Sequence, residues 1–245
     1  MKLYYASSEE ILRGIFDDYA YQSRNLLRHL ASDRRLSDFD AFNKRLKIAW
    51  GIQIEFTDDL NIKRDVVRDC YRLMLKLADL WFAFEHLSEI ANETIPTKKP
   101  NSKFDFFEPA TMEELGLSDI TRHCNQLLWE HVLQKTAWRR EIYHLIYYLT
   151  KNTKGGTKNT IGEIRELLRA RCDLEMKHIC AWMYGIRNIY VHKGVTAALG
   201  TENYEVKRAL YTMLHDTLIL YALTLGHAYC RKKLLDYLPD SQHIT

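Results

Sequence analysis

Apolar residues recur along the chain at intervals of three, four and seven, which is the spacing of one face of an α-helix. The clearest stripe begins after Thr57 and predicts a long amphipathic helix that ends near Asn92. Its apolar positions are Leu60, Val67, Met74, Leu77, Leu80, Trp81, Phe84 and Leu87. Similar patterns predict further helices at about 8–32, 37–51, 118–150, 160–190 and 202–237. The sequence therefore predicts an all-α fold, a helical bundle of about six long helices.

The residues that interrupt helices are sparse and clustered. Three of the four prolines fall between residues 96 and 109, so the tracts 1–95 and 110–238 contain none. Ser/Thr-x-x-Glu capping boxes at Ser7, Thr111 and Thr160 predict helix starts. The polar, basic segment 151–158 is predicted to be a solvated connector, because its glycines and lysines lack the spacing and the preceding strand of a phosphate-binding loop.

Length sets the domain organisation only loosely. A chain of 245 residues can bury one large core, or a smaller core with added helices. The sequence suggests an N-terminal helical extension, residues 1–56, and a helical bundle, residues 57–245, whose core is at about 118–238. One continuous domain also fits the pattern.

Charge and cysteine usage narrow the function classes. The formal net charge of +3 is too balanced for a protein that holds nucleic acid by overall charge, so any polyanion must meet a local basic site. Five cysteines without a C-x-x-C pair favour reduced thiols and a cytoplasmic location, not a zinc site. The longest apolar stretch, 218–230, is shorter than the ~20 residues that span a bilayer, so no membrane partner is expected.

One run of residues carries recognisable chemistry: Ile186-Arg187-Asn188-Ile189-Tyr190-Val191-His192-Lys193-Gly194. Histidine exchanges protons near neutral pH, and the arginine fork can hold two phosphate oxygens and stabilise the extra charge of a pentavalent transition state. Asn188 can orient either partner by hydrogen bonding. Residues five apart lie about 140° apart around a helix, so we expect the helix to loosen or end between Arg187 and His192.

This motif resembles that of the HEPN superfamily, whose metal-independent ribonucleases carry Arg, four to six residues and then His, often with Asn after the Arg. The resemblance implies a helical bundle in which the motif precedes a long final helix. It implies cleavage of single-stranded RNA through attack of a 2′-hydroxyl on the adjacent phosphate, without metal or cofactor. Arg187 is the expected phosphate clamp and His192 the acid or base, with Asn188 beside them and Tyr190 and Lys193 as site support.

The resemblance also implies partners. HEPN chains pair so that both motifs line one composite groove, so we expect a homodimer. An antitoxin or regulatory protein is expected if the chain is a toxin or a defence or stress effector. An acidic residue from another helix assists some HEPN nucleases, and Glu85, Glu130 and Glu141 are the candidates in this chain.

Alternatives remain open at this level. Arg24-Asn25-x-x-x-His29 repeats the stricter motif, but it lies in an uninterrupted helical stripe that favours a structural role. The bare spacing recurs at Arg139 with His144, and the six-residue version at Arg171 with His178 and Arg208 with His215, where ordinary helix residues are the simpler interpretation.

Arg187 could instead have a structural role, as the partner of Asp173 or Glu175. The rival functions are an inactive HEPN-like scaffold that binds RNA, nucleotide or protein, and a purely structural interaction protein.

Overall fold

The computed structural model describes residues 16–28, 36–55, 65–91, 104, 107–193 and 200–237. All regular secondary structure in these ranges is helical, which confirms the all-α fold. The elements are α1 (16–28), α2 (Leu36–Gly51), α3 (Asp65–Ala91), α4 (Pro109–Glu114), α5 (Leu117–Leu127), a π-helical turn (Leu128–Val132), α6 (Thr136–Asn152), α7 (Gly155–Ala170), α8 (Met176–Lys193) and α9 (Tyr204–Tyr237).

Two of the predicted long helices are each broken in two, so the estimate of six helices is too low. The helix predicted at 118–150 passes into a π-helical turn, where the Leu133 N–H bonds to the carbonyl of Leu128 (2.7 Å), and α6 starts afresh at Thr136. The helix predicted at 160–190 ends at Arg171, which adopts a left-handed conformation with φ of 57°. Neither break contains proline or glycine, so neither carries the usual sequence signal.

The connector predicted at 151–158 is mostly helix. Only Thr153 and Lys154 separate α6 from α7, which begins at Gly155. Thr160 lies inside α7, where its hydroxyl donates to the carbonyl of Gly156, so the capping box predicted there is wrong. The one predicted at Thr111 is wrong too, because α4 begins at Pro109. Ser7 lies outside the described residues.

The parallel pair α3 and α9 forms the centre of the core. Near their starts, the Cys70 thiol donates to the carbonyl of Tyr204 (3.2 Å), and further along the rings of Phe84 and Tyr221 lie 6.4 Å apart. The Tyr221 hydroxyl shares a hydrogen bond of 2.8 Å with Thr121, which ties α5 to the same pair. One continuous hydrophobic cluster joins these helices to the rest.

The described N-terminal helices belong to this same cluster. Phe39 on α2 stacks on Tyr229 of α9, with ring centres 5.0 Å apart. A Cβ at Gly226 of α9 would lie 2.7 Å from the Tyr19 ring of α1, so this close approach requires glycine. α2 runs antiparallel along α3, from Arg45 beside Phe82 to the Ile54 carbonyl, which accepts a hydrogen bond from Arg72.

Polar bonds fix the start of α8, the helix that carries the motif. The buried Asn125 side chain on α5 both donates to the carbonyl of Leu174 and accepts from its N–H, each at 2.8 Å. Nδ1 of buried His178 accepts the Glu175 N–H, and its Nε2–H donates to Glu163 of α7.

Among the described helices none is long and apolar enough to cross a bilayer.

Candidate active site

The helix that carries the motif does not loosen between Arg187 and His192. α8 is one continuous α-helix from Met176 to Lys193, so the expectation of a break was wrong. The two side chains nevertheless meet, because the arginine side chain is long enough to reach along the helix surface to the next turn. Gly194, which was expected to terminate the helix, lies outside the described residues.

Arg187 is a buried cation, with only 9% of its surface exposed. Its Nη1 donates to Oδ1 of Asn188 at 2.7 Å and approaches Nε2 of His192 at 3.5 Å. Because a guanidinium has no acceptor, the second contact is a hydrogen bond only when Nε2 carries a lone pair, with the imidazole proton on Nδ1. Nε of Arg187 is buried and has no hydrogen-bond partner among the described residues.

Aromatic rings, not carboxylates, surround this cation. The guanidinium carbon lies 4.1 Å from the centre of the Phe82 ring and 5.9 Å from that of Tyr184. Tyr184 is held in turn by Trp81 and Phe104, at ring-centre distances of 5.6 and 5.3 Å. These ring faces offset part of the cost of burying the charge.

No described carboxylate neutralises Arg187. Of the two acids that the sequence offered as partners, Asp173 accepts the indole N–H of Trp129 and Glu175 pairs with Lys177. A buried cation without an acid costs free energy, because the loss of hydration is not repaid. An incoming anion would repay part of that cost, so the site favours an anionic ligand.

Contact between the guanidinium and the imidazole distinguishes this motif from the look-alike pairs that the structure describes. Arg139 instead bonds to the carbonyl of Leu133, and Arg208 pairs with Asp69 and Glu205. His178 and His215 bond to carboxylates of Glu163 and Asp216. Of the Arg/His pairs that the structure describes in full, Arg187 and His192 alone bring the two groups together.

The repeated motif near the N-terminus has a local role for its arginine. Nε of Arg24 donates to the carbonyl of Ala20, one turn earlier on α1, at 3.1 Å, and the side chain is exposed. Asn25 is half-buried on the same helix. His29 lies outside the described residues, so its relation to Arg24 stays a prediction.

The supporting residues of the motif lie on different sides of α8. Tyr190 is half-buried and packs against the hydrophobic cluster. His192 is exposed at the surface end of the helix, beside Val191, of which 42% is exposed. Lys193 is the last residue of α8, and its side chain lies outside the described set.

A groove between α2 and α3 adjoins the arginine. It has a volume of about 310 Å³ and is lined by Ala41, Arg45, Phe82, Glu85, His86 and Glu89. Phe82 is the shared wall, because the Arg187 guanidinium lies over its ring at 4.1 Å and that of Arg45 at 5.8 Å. Sequence reasoning missed Phe82 and Arg45, since nothing in a helical stripe of apolar residues marks which ring meets a cation.

The groove also distinguishes the three glutamates that the sequence offered as assisting acids, because one of them lines it. Glu85 lines it next to Phe82. Glu130 instead accepts a hydrogen bond from Gln126, and Glu141 accepts one from the Thr201 hydroxyl. Of the three candidates, Glu85 is therefore the one that lines the groove beside Phe82.

No protein-family model, curated protein or solved structure matches this chain. The HEPN resemblance therefore rests on the motif and its helical setting, and it stays a prediction.

Proposed function

We propose that this chain is a metal-independent endoribonuclease that cleaves single-stranded RNA at Arg187, Asn188 and His192. The observation that carries the proposal is the buried guanidinium of Arg187, which contacts an imidazole and has no carboxylate partner among the described residues. A phosphodiester supplies the missing negative charge. The adjoining imidazole supplies the proton transfer that cleavage of this bond requires.

The proposed reaction needs only these side chains and the RNA. Nε2 of His192 takes the proton of the 2′-hydroxyl as that oxygen attacks the adjacent phosphorus. The N–H groups of Arg187 that do not bond to Asn188 donate to the phosphate oxygens, where they stabilise the pentavalent transition state. The bond to the 5′-oxygen breaks, that oxygen takes a proton, and the products end in a 2′,3′-cyclic phosphate and a 5′-hydroxyl.

Asn188 has a positioning role in this scheme. Its Oδ1 holds Nη1 of Arg187 at 2.7 Å, which fixes the rotation of the guanidinium about its long side chain. An amide neither gives nor takes a proton at neutral pH, so Asn188 performs no acid–base step. Its loss should therefore slow cleavage less than loss of Arg187.

The proposal includes a homodimer. The proton for the leaving oxygen would come from His192 of the second chain, across a groove shared by the two motifs. Exposed Val191 beside His192 supports a contact between chains at this end of α8. An antitoxin or regulatory protein would act by covering the same end, as suits the toxin or defence effector that the resemblance implies.

An inactive scaffold is the second candidate, because a buried cation beside a groove can bind a phosphate without cleaving it. The decisive experiment is incubation of purified protein with end-labelled single-stranded RNA in excess EDTA. Wild type should cleave and leave cyclic-phosphate ends, while Arg187→Ala and His192→Ala should not. Arg122→Ala and His123→Ala, exposed neighbours on α5, are the matched controls and should cleave as wild type does.

Cleavage that survives both Arg187→Ala and His192→Ala would contradict the proposal. Absence of cleavage by wild type, together with RNA binding that is lost on Arg187→Ala, would establish the scaffold instead.

A further inference from the structure

The hairpin formed by α6 and α7 carries a concentration of positive charge that the candidate active site does not use. Residues 135–170 contain eight lysines and arginines against three glutamates, a net charge of +5. The whole chain carries +3, so the remaining residues together carry −2. The basic site that a nearly balanced chain needs in order to hold a polyanion is therefore local, and it lies on this hairpin.

Three basic residues of α6 lie on one exposed stripe. Arg140, His144, Tyr147 and Lys151 are spaced at four, three and four residues, which places them on one helix face, and all four are exposed. That stripe contains no acidic residue. Tyr147 is an aromatic ring in the middle of it, with 47% of its surface exposed.

A second stripe on α7 adjoins the first. Lys158, Gly162, Arg165 and Arg169 have the same spacing, and the Arg165 guanidinium lies 5.9 Å from the centre of the Tyr147 ring. The Lys151 ammonium lies 4.6 Å from that centre. Two cations, one from each helix, therefore lie close to the Tyr147 ring.

The surroundings of Tyr147 are open and short of negative charge. Gly162, in the α7 stripe, has no neighbouring atom within 4 Å of the place where a Cβ would stand, so the surface of the stripe is open at that position. Glu166 is engaged with Arg169, and Glu163 with His178. Among the described carboxylates none pairs with Arg140, Lys151, Lys158 or Arg165.

We propose that this basic α6–α7 face binds single-stranded RNA, with Tyr147 stacked on a base and Arg140, Lys151, Lys158 and Arg165 on phosphates. Proteins that hold single strands combine a cationic track with exposed aromatic rings in this way. Duplex RNA hides its base faces, and a membrane surface or an acidic protein offers none, so the exposed ring favours a single strand. The choice of RNA over DNA rests on the proposed function.

The hairpin that carries this face packs against the helix that carries the candidate active site. A Cβ at Gly185 of α8 would lie 2.7 Å from Ile161 of α7 and 3.9 Å from Thr153, at the corner of the hairpin. Gly185 precedes Arg187 by two residues. The hairpin therefore packs against α8 close in sequence to Arg187, on the side of that helix opposite to the arginine.

The test is binding of a fluorescent single strand of about twelve nucleotides, measured by anisotropy, with every ribose 2′-O-methylated. Methylation removes the attacking hydroxyl, so binding is measured whether or not the protein cleaves RNA. Tyr147→Ala should weaken binding about tenfold or more, and Tyr147→Phe should not. Arg140→Glu with Lys151→Glu should weaken it further and make the slope of log K against log salt shallower by about 1.4, for two lost phosphate contacts.

Lys47→Glu with Lys232→Glu is the matched control, since both lysines are exposed and the charge change is equal. Equal affinity of the two double variants for the single strand would overturn the inference. So would a result in which duplex RNA or phosphatidylserine vesicles bind through this face as tightly as the single strand does. Binding through this face without any cleavage would support the inference and contradict the proposed nuclease activity. Cleavage that requires His192, together with RNA binding that neither Tyr147→Ala nor the charge reversals weaken, would support the proposed nuclease and overturn this inference.

Discussion

The guanidinium of Arg187 lies against the ring of Phe82, 4.1 Å from its centre, and no described carboxylate shares that contact. The pairing joins α8 to α3 through a cation and a ring, where a structural arginine would ordinarily meet an acid. Such a contact holds the guanidinium in place and leaves its charge available to a ligand. On the proposed function, it separates the role of Arg187 in holding a ligand from the stability of the fold.

The first prediction concerns this separation. Arg187→Met keeps the length and packing of the side chain and removes its charge, so the cost of burying an unpaired cation is removed with it. We expect the free energy of unfolding to stay unchanged or rise by about 1 kcal/mol, while RNA cleavage disappears. Chemical denaturation and the cleavage assay measure the two effects. A clear loss of stability would assign Arg187 a structural role.

A second prediction separates two neighbouring rings of α3. Phe82→Leu removes the ring face beneath Arg187 and should lower cleavage by about tenfold, the typical scale of a cation–π contact. Phe84→Leu changes a fully buried ring in the core and should cost about 1 kcal/mol of stability, with cleavage by the folded protein unchanged. Equal effects of both variants on cleavage would argue against a special role for Phe82.

The third prediction concerns assembly. Wild type should have twice the 29.0 kDa mass of the chain in multi-angle light scattering. Val191→Asp places a charge at the end of α8 beside His192 and should give a monomer that does not cleave RNA. Leu235→Asp, on another exposed apolar residue with 64% exposure, is the control and should stay dimeric. A dimer that survives Val191→Asp would place the interface elsewhere.

The fourth prediction is a dependence of stability on acid pH. Burial lowers the pKa of His178 below its usual 6.5, with the hydrogen bond to Glu163 opposing the shift. The unfolded chain therefore binds the proton first as pH falls, and stability should decline below about pH 6.5, by at most about 1.4 kcal/mol per pH unit. Protonation of Nδ1 would also remove the acceptor of the Glu175 N–H.

Urea denaturation from pH 7 to pH 5 measures this decline. His178→Asn keeps an acceptor near Nδ1 and should flatten the dependence, while His227→Asn, at an exposed position of α9, should not. Equal acid sensitivity in wild type and His178→Asn would show that other groups are responsible.

The fifth prediction concerns Lys207, which is fully buried. Burial is the main cause that lowers its pKa from 10.5 to about 8. Below pH 8 both the folded and the unfolded chain carry the proton, and the folded state bears the cost of the buried charge. Between pH 8 and 10.5 only the unfolded chain keeps it, so this residue should make stability rise with pH.

The stability difference between Lys207→Met and wild type should therefore shift in favour of wild type by roughly 2 kcal/mol between pH 7 and pH 9.5. Taking the difference between the two proteins at each pH cancels most of the contribution of the buried cysteines and tyrosines. A constant difference across this range would show that the lysine keeps an ordinary pKa.

The sequence was sufficient for the helical class and for α2, α3 and α9, because long apolar stripes fix which faces are buried. It was insufficient for the breaks at 128–135 and 171–175, since these depend on tertiary bonds such as that of Asn125 to Leu174. The Arg-Asn-x-x-x-His pattern was visible in the residues alone, and its assignment to the HEPN superfamily stays a prediction. Its neighbours Phe82 and Arg45 were not visible in this way, because contacts between distant helices leave no spacing pattern.

Gly185 has a further consequence for Arg187. Two residues along a helix correspond to about 200° of rotation, so the side of α8 that touches α7 and the side that presents the arginine are opposite. Because Gly185 has no side chain, this side of α8 packs closely against α7, and that contact fixes the rotation of the whole helix about its axis. One inserted residue between Gly185 and Arg187 would turn Arg187 by about 100°, away from Phe82, with every side chain of the motif still present. This site is therefore more sensitive to a shift in register than to most substitutions around it.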